Sequence, residues 1–288
     1  MQNTDLKPTL VMGARAGIGR LILDQLLLDD MPVRASTRRP EPGQLPTGVE
    51  VVAADLTDRA SLDRAFEGIG QAFVFANHDG VDGLIEAARS AGVERLVLLS
   101  SGSVIHSSSR GNRITEKHRQ VEQSLFAADD LTVIPVRPLV LATNSLGWAY
   151  PIRSHGTIAL YRPEALTAPI DERDIAAVAV AALHGRTDVS DLLTGSERLS
   201  QRAQVAAISA AIGRPITVTE LSREQAATSY GRFMPEWEAE AVLQFLDDAD
   251  DGNSPATGAV QAILGKPALS YTDWASRHAD DFREVKDR

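Results

Sequence analysis

The sequence predicts an α/β fold, in which a doubly wound parallel sheet is followed by a smaller C-terminal α/β region. Strand-like and helix-like segments alternate up to about residue 138, which is the order of repeated βαβ units. The strand-like segments are continuously apolar, as expected of parallel strands buried on both faces. Three glycines follow the first strand at once, in VMGARAGIGR (11–20). The chain of 288 residues, 43% of them hydrophobic, is long enough for a substantial core.

Six strands and four helices are predicted up to residue 138, from apolar runs and from apolar residues at helical spacing. The predicted strands are Thr9–Met12, Val33–Thr37, Val49–Ala53, Gln71–Ala76, Leu96–Ser100 and Thr132–Val136. The predicted helices are Ile18–Leu26, Ser61–Phe66, a segment from Leu84 to near Gly92, and Thr115–Ala127. We therefore expect right-handed βαβ units that build one sheet.

The alternation becomes less regular after residue 140. A loop is predicted at Asn144–Pro151, a helix at Asp171–His184, and a strand returning to the sheet at Leu192–Thr194. Further on we predict helices at Ser200–Ile212 and Pro235–Leu246, a strand at Ile216–Glu220, and a capping box at Ser222-x-x-Gln225. The acidic stretch Asp247–Asn253 is predicted to be a solvated turn, because its third and twelfth positions lack the acids of a calcium loop.

Composition excludes several classes of function. The net charge of −10 and the absence of a basic face argue against nucleic acid as a ligand. The chain has no cysteine, which excludes disulfides, thiolate catalysis and cysteine-ligated metals, and we predict no metal site. No signal core and no run of about 18 apolar residues is present, so we expect a soluble cytoplasmic protein without membrane contact. The oligomeric state is left open.

The glycine cluster predicts a Rossmann-type dinucleotide site. An apolar strand precedes Gly13, and an amphipathic helix follows Gly17 and Gly19, which is the context that gives this weak motif its meaning. Gly13 permits the tight turn, and the other two glycines allow the backbone and the helix N-terminus to approach a pyrophosphate. The alternative is a plain glycine-rich turn.

The end of the second predicted strand favours NADP(H) over NAD(H). An NAD site needs an acid there for the ribose 2′-hydroxyl, whereas this chain has Thr37 followed by Arg38 and Arg39. Guanidinium groups suit a 2′-phosphate, and Arg15 in the glycine loop points to the same cofactor. The alternative is that these are surface arginines of an arginine-rich protein.

Other strand ends supply further candidate cofactor contacts, because ligands of open α/β sheets bind at the carboxyl ends of the strands. Asp55 follows the third strand, where it would accept from the adenine amino group; the alternative is a helix cap. Ala76 and Asn77 follow the fourth strand, and Ser100 and Ser101 follow the fifth.

The glycine motif resembles that of the short-chain dehydrogenases/reductases, and the rest of the chain resembles their atypical NmrA-like branch. The segments that carry the resemblance are VRASTRRP (33–40), AADLTDRASLDRAFEGI (53–69), LIEAARSAGVERLVLLSS (84–101), VIPVRP (133–138), PIDERDIAAVAVAAL (169–183) and the tail 212–282. NmrA-like proteins usually carry Gly-x-x-Gly-x-x-Gly, but this chain has Ala16 at the middle position. The loop is therefore closer to the fully catalytic branch. The resemblance adds Ala16, Ile18, Leu56 and Pro138 to the expected cofactor contacts.

The resemblance also implies a Ser–Tyr–Lys mechanism, which this chain lacks in part. Ser101 falls on the catalytic serine, which polarises a carbonyl. The Tyr and Lys positions fall on Ile114 and His118, and no tyrosine occurs between Ala76 and Gly147. His118 is the predicted substitute, either as a hydrogen-bond partner of the ribose or as a general acid. The alternative is a partly exposed helix histidine.

Large side chains in the second part of the chain are the predicted substrate contacts, although domain packing explains any single one of them as well. They are Trp148, Tyr150, Phe233, Met234 and Trp237. The predicted division places an NADP(H)-binding core at residues 1–143, to which 169–195 return. It places a substrate-binding region at 144–168 and 196–288.

The sequence thus favours an NADPH-dependent reductase of a ketone or quinone carbonyl in a small, largely apolar or polycyclic aromatic molecule. The absent tyrosine and lysine support an alternative, a non-catalytic NADP(H)-sensing protein that acts through a protein partner. A nucleotide-sugar epimerase is less favoured, because that chemistry depends on the Tyr–Lys pair.

Overall fold

A computed structural model describes residues 7–109 and 111–283. Its strands are β1 (Thr9–Val11), β2 (Val33–Thr37), β3 (Glu50–Ala53), β4 (Gln71–Phe75), β5 (Arg95–Leu99), β6 (Thr132–Pro138), β7 (Thr157–Tyr161), β8 (Leu166–Thr167), β9 (Leu192–Leu193), β10 (Leu199–Ser200) and β11 (Thr217–Leu221). Its α-helices are α1 (Gly17–Leu28), α2 (Arg59–Phe66), α3 (Val81–Ala91), α4 (Arg113–Phe126), α5 (Ala149–His155), α6 (Glu172–Leu183), α7 (Gln201–Ile212), α8 (Arg223–Tyr230), α9 (Glu236–Asp250), α10 (Ala259–Leu264), α11 (Tyr271–Arg277) and α12 (Ala279–Phe282).

Seven strands form the central sheet, in the order β3-β2-β1-β4-β5-β6-β9. Strands β1 to β6 pair in parallel, with Leu10 opposite Arg34 on one side of β1 and opposite Ala72 on the other. The predicted doubly wound α/β fold is confirmed, including the return of the segment near Leu193 to the sheet. The order reverses at β1 and β4, which is where open sheets of this kind bind ligands.

The chain folds into two compact units. The first unit comprises Met1–Val104, Lys117–Arg137 and Arg173–Asp191; the second comprises Ile105–Glu116, Pro138–Glu172 and Leu192–Arg288. Residues 105–116, 138–143, 169–172 and 192–195 fall in the second unit, whereas the predicted division placed them in the cofactor core. The assignment of cofactor and substrate binding to separate regions stays a prediction.

The core of the first unit follows from the apolar strands and from one face of each helix. Leu10, Val74 and Leu98 of the sheet pack with Phe66 of α2 and Leu84 of α3. Asp58 caps α2 by accepting from the amides of Ala60 and Ser61, and the left-handed Gly92 ends α3. Such caps satisfy helix-end groups that would otherwise lack partners.

The second unit is built on small sheets and helices. β7 pairs in parallel with β11, and β8 pairs antiparallel with β10. One apolar cluster surrounds the fully buried Trp274, whose indole N–H donates to Glu172 at 2.9 Å. The predicted capping box at Ser222 and Gln225 is present. Among the described residues, no helix is both long and apolar enough to cross a membrane.

Two local predictions in this unit are wrong. The predicted loop at Asn144–Pro151 is a 3-10 helix, Ala142–Trp148, that runs into α5, because Trp148 and Ile152 pack on the unit's core. The predicted turn at Asp247–Asn253 is largely the last turn of α9. The carboxylate of Asp247 is not simply solvated there, because it accepts from the Tyr161 hydroxyl at 2.6 Å.

Candidate cofactor and active site

The glycine loop is fixed between two neighbouring strands. The amide of Met12 donates to the carbonyl of Phe73, and that of Ala14 donates to the carbonyl of Ser36 at 3.0 Å. α1 then begins at Gly17, whose φ is +58° and at which an added Cβ would meet no atom within 4 Å. Ala16 precedes α1 without a side-chain cap, so no side chain there occupies the first amides of the helix. Amides of this kind bind anions.

Gly19 allows α1 to lie against the loop. A Cβ at this position would lie 2.6 Å from the carbonyl oxygen of Gly13 and 2.7 Å from that of Met12. Ile18 next to it is buried, whereas Gly13 and Arg15 are exposed. The predicted cradle is therefore a tight turn with an open side at Gly17.

The end of β2 combines buried hydroxyls with exposed cations. Ser36 and Thr37 are at most 6% exposed, and neither hydroxyl hydrogen-bonds to a described residue. Arg38 and Arg39 follow directly, are exposed, and form no ion pair with the described part of the chain. By contrast, Arg34 of the same strand pairs with Glu50.

Local turns engage two of the predicted cofactor contacts. Asp55 accepts from the amide of Thr57 at 2.9 Å and from its hydroxyl at 2.8 Å. These two hydrogen bonds, together with the charge of Arg38, hold the pKa of Asp55 below its usual value. Asn77 accepts from the amide of Asp79 at 3.0 Å. The role of Asp55 toward adenine and that of Asn77 as a cofactor contact stay predictions.

Leu56 and Ala76 follow the ends of β3 and β4, where the backbone contacts neighbouring segments of the chain. The amide of Ala76 donates to the carbonyl of Leu99 at 3.2 Å. A Cβ on Gly80 would lie 1.8 Å from the carbonyl oxygen of Leu56, so the turn before α3 approaches the loop after β3 as only glycine permits. Sequence reasoning missed this glycine, because its signal is a contact between segments distant in the chain.

The end of β5 carries a group of serines in a short 3-10 turn, Gly102–Val104. Ser100 is 5% exposed, and its hydroxyl has no partner among the described residues. Ser101 is half-buried, and its Oγ lies 2.8 Å from the Oγ of Ser103 and 3.3 Å from the amide nitrogen of Ser103. Sequence reasoning did not single out Ser103, although the run Ser100-Ser101-Gly102-Ser103 was visible.

The helix after β5 places His118 one turn beyond Ile114, as predicted. Asn112 begins α4 by accepting from the amides of Ile114 and Thr115. His118 is largely buried, and burial lowers its pKa even though Glu122 acts in the opposite direction. Its Nδ1 is buried without a hydrogen-bond partner among the described residues. Burial therefore favours the neutral form of the imidazole, whose Nδ1 has no hydrogen-bond partner in the described part of the chain.

A buried ion pair follows one turn later in α4. Glu122 is 3% exposed and accepts from Arg137 of β6 at 2.9 and 2.6 Å, a bidentate geometry. The same guanidinium donates to the carbonyl of Ser190 at 2.9 Å. Pairing of this kind fixes the relative position of helix and strand. Pro138, the last predicted cofactor contact, is buried at the end of β6.

The predicted substrate contacts all lie in the second unit but differ in environment. Trp148 packs against the Trp274 cluster, whereas Tyr150 and Phe233 are 66% and 85% exposed. The guanidinium carbon of Arg113 lies 5.0 Å from the centroid of the Trp237 ring, over its face. Met234 is half-buried. Their role toward a substrate stays a prediction.

The residues of the first unit fit a bound dinucleotide. The buried polar atoms without hydrogen-bond partners in the described structure include the hydroxyls of Ser36, Thr37 and Ser100 and the Nδ1 of His118. Unsatisfied buried groups are rare and costly in folded proteins. Because the carboxyl ends of parallel strands meet at one edge of the sheet, the three hydroxyls line the edge that begins with the glycine loop.

Comparisons with known proteins point in the same direction. A family model described as NAD(P)H-binding matches residues 13–186. The chain is 36% identical to (4-alkanoyl-5-oxo-2,5-dihydrofuran-3-yl)methyl phosphate reductase of Streptomyces griseus, over 95% of this chain and 98% of that protein. It is 32% identical to NAD(P)H azoreductase of Xenophilus azovorans, again over 95% of this chain and 98% of that protein. The fold is that of an NADPH-dependent quinone oxidoreductase of Escherichia coli, at a TM-score of 0.77, 18% identity, and 93% and 99% coverage.

Proposed function

Because the chain belongs to the NAD(P)H-binding family, we propose that it is an NADPH-dependent reductase of a ketone or quinone carbonyl. The proposed substrate is a small, largely apolar or polycyclic aromatic molecule. The family match and the two reductase relatives confirm the predicted cofactor class and the predicted oxidoreductase class. The preference for NADPH, the substrate and the roles of individual residues are parts of the proposal.

Different residues of the first unit are proposed to bind different parts of the cofactor. The uncapped amides at Gly17 would hold the pyrophosphate, and Arg38 and Arg39 would hold a 2′-phosphate, beside the unpartnered hydroxyl of Thr37. A bound reduced nicotinamide supplies the hydride. Everything else in the reaction depends on where the chain places hydrogen-bond donors around the substrate oxygen.

Ser101 is the observation that carries the proposal. Its half-buried hydroxyl lies at the carboxyl end of β5, where open sheets of this kind bind ligands. When hydride adds to a carbonyl carbon, the π electrons move onto the oxygen, and a hydrogen bond from Ser101 stabilises the charge that develops there. Donors of this type contribute about 10²–10³-fold to rate in related situations.

The proposed role of His118 is a hydrogen bond to the nicotinamide ribose and not donation of the proton to the product oxygen. Burial lowers the pKa of the imidazole, so its protonated fraction at neutral pH is small and its capacity as a proton donor is limited. A neutral imidazole with an unused Nδ1 can still exchange a hydrogen bond with a ribose hydroxyl. The proton for the product oxygen would then come from water or from a phenol of the substrate.

The two relatives support a reductase role in general terms. One is named as a reductase of an alkanoyl-oxo-dihydrofuran methyl phosphate, and the other is named as an azoreductase. One observation favours the alternative, an NADP(H) sensor acting through a protein partner. Ile114 stands where the resemblance to short-chain dehydrogenases/reductases implies a tyrosine, and its side chain has no proton to donate.

The test is NADPH oxidation with a panel of quinones, aromatic ketones and enals, using the protein and its Ser101→Ala variant. We expect turnover by the unchanged protein, and a fall in kcat of about 10²-fold in the variant with NADPH affinity kept within twofold. Ser209→Ala, which removes a hydroxyl of the second unit that donates to the carbonyl of Arg214, serves as the control and should leave kcat unchanged. Tight NADPH binding without turnover across the panel would favour the sensor, and equal kcat in both proteins would refute the role of Ser101.

A further inference from the structure

We propose that Ser103 is a positioning residue that fixes Ser101 as a hydrogen-bond donor toward the substrate oxygen. The inference rests on the proposed function as far as the substrate is concerned, and on the described geometry as far as the two serines are concerned. Ser103 lies in the 3-10 turn after β5, is 0% exposed, and belongs to the same unit as Ser101.

The direction of the hydrogen bond between the two hydroxyls follows from burial. The Oγ atoms are 2.8 Å apart, so either hydroxyl is close enough to donate. The hydroxyl of Ser103 is fully buried, and Ser101 is its one hydrogen-bond partner in the described part of the chain. A buried donor without an acceptor costs about 1–3 kcal/mol. The proton of Ser103 therefore points to the Oγ of Ser101.

This direction decides what Ser101 can do. A serine hydroxyl has one proton and two lone pairs. The lone pairs of Ser101 accept from the hydroxyl of Ser103 and from its amide at 3.3 Å. Its own proton is the one hydrogen-bonding function left, and the side chain is half-buried rather than enclosed. Ser101 is thus prepared to donate to an acceptor such as a carbonyl or alkoxide oxygen.

The pair also raises the strength of that donor. A hydroxyl that accepts hydrogen bonds becomes a better donor, because the bonds of a chain polarise one another. Ser103 would therefore act on the rate through Ser101 and not on the affinity for NADPH. It needs no contact with substrate or cofactor for this effect.

A double-mutant cycle of Ser101→Ala and Ser103→Ala tests the proposal, with kcat and melting temperature as separate readouts. We expect Ser103→Ala alone to lower kcat about 3- to 10-fold, the worth of one ordinary hydrogen bond. We expect it to change kcat less than about twofold when Ser101 is already alanine. The affinity for NADPH should stay the same in all four proteins.

The melting temperatures test the direction of the bond without any turnover. Ser101→Ala leaves the buried proton of Ser103 without an acceptor, whereas Ser103→Ala leaves a half-buried hydroxyl that solvent can reach. Ser101→Ala should therefore melt lower than Ser103→Ala, and the double variant should melt at or above Ser101→Ala. The control is Ser209→Ala in the second unit, where the hydroxyl donates to the carbonyl of Arg214 at 2.7 Å. Its change in melting temperature should add to that of either serine variant without coupling.

The outcomes separate this inference from the proposed function. A double variant that melts below both single variants would overturn the assigned direction. An equal loss of kcat from Ser103→Ala in both backgrounds would overturn its action through Ser101. A protein without turnover but with the expected melting pattern would refute the reductase proposal and support the hydrogen bond. If Ser101→Ala alone has no measurable turnover, the melting pattern decides.

Discussion

Two glycines of the cofactor loop should fail in different ways when each is replaced by alanine. At Gly17 an added Cβ meets no atom within 4 Å, but the residue has a φ of +58°. At Gly19 the added Cβ would lie 2.6 and 2.7 Å from two carbonyl oxygens. The space at Gly17 is open to a ligand, whereas the space at Gly19 is filled by the loop itself. We therefore expect Gly17→Ala to impair cofactor binding and Gly19→Ala to impair folding.

The magnitudes follow from these two environments. A left-handed alanine at 17 costs about 1–2 kcal/mol, and the stiffer unfolded chain offsets about 0.4–1 kcal/mol of this. The net loss of about 1 kcal/mol corresponds to a fall in melting temperature of roughly 2–4 °C. The methyl group would displace a phosphate from the amides of α1, and the loss of one charge-assisted hydrogen bond weakens binding about 10- to 100-fold.

Gly19→Ala balances a clash against helix propensity. Overpacking costs about 1–3 kcal/mol, and the upper end applies because both contacted atoms are backbone carbonyls that cannot rotate away. Alanine in a helix recovers up to about 1 kcal/mol relative to glycine. The net loss of about 2 kcal/mol corresponds to a melting temperature roughly 4–8 °C lower.

Thermal melts without cofactor and fluorescence titrations with NADPH separate the two effects. Gly83→Ala in α3, where an added Cβ meets only side-chain carbons at 3.7 Å and beyond, is the matched control. An unchanged affinity for NADPH in Gly17→Ala would refute the assignment of this loop to the phosphates. An unchanged melting temperature in Gly19→Ala would refute the close packing of α1 on the loop.

Three further predictions concern single charged or titratable groups of the first unit. Arg38→Ala should weaken NADPH about tenfold and NADH less than about twofold, with the exposed Arg64→Ala as control, and equal weakening of both cofactors would contradict a 2′-phosphate contact. Arg137→Met leaves Glu122 buried and unpaired, so urea unfolding should show a loss of about 3–5 kcal/mol; adding Glu122→Leu should restore most of it. Burial lowers the pKa of His118 in the folded protein, so below about pH 6.5 the unfolded state binds more protons and stability falls as pH falls. His118→Gln should lose less unfolding free energy than the unchanged protein between pH 7.5 and 5.5, and a steeper loss in the variant would exclude this linkage.

The sheet and the glycine loop were predictable because their signals are local. Buried parallel strands are continuous apolar runs, and the prediction of Val33–Thr37 matches β2 residue for residue. The glycines reveal a turn and a close approach through their position after the first strand. The caps at Ser200 and Ser222 were predictable for the same reason, since a cap joins residues three apart in the chain.

The second unit was less predictable because its structure depends on contacts between distant segments. β7 gains its partner from β11, about sixty residues later, and neither segment shows that pairing in its own sequence. The acidic end of α9 resembles a turn in composition, but Asp247 is engaged by Tyr161 and Arg223 from two other elements. In the first unit the same limit applies to Gly80, whose need for glycine comes from the carbonyl of Leu56.

The absent tyrosine bears on which substrate the proposed enzyme prefers. Under the proposed function no tyrosine donates a proton, so the product oxygen would carry its charge until water or a phenol of the substrate protonates it, with Ser101 as the proposed hydrogen-bond donor. Hydride that adds to one oxygen of a quinone moves the conjugated electrons onto the other oxygen, which becomes a phenolate whose conjugate acid has a pKa near 10, as for tyrosine. An aliphatic alkoxide is far more basic and comes close to hydroxide in basicity. We therefore expect kcat/KM for quinones to exceed that for aliphatic ketones of similar size by at least about 10²-fold, since each factor of ten corresponds to only 1.36 kcal/mol of barrier. Equal rates for both would mean that another residue supplies the proton, and His118→Gln would then be the variant to compare.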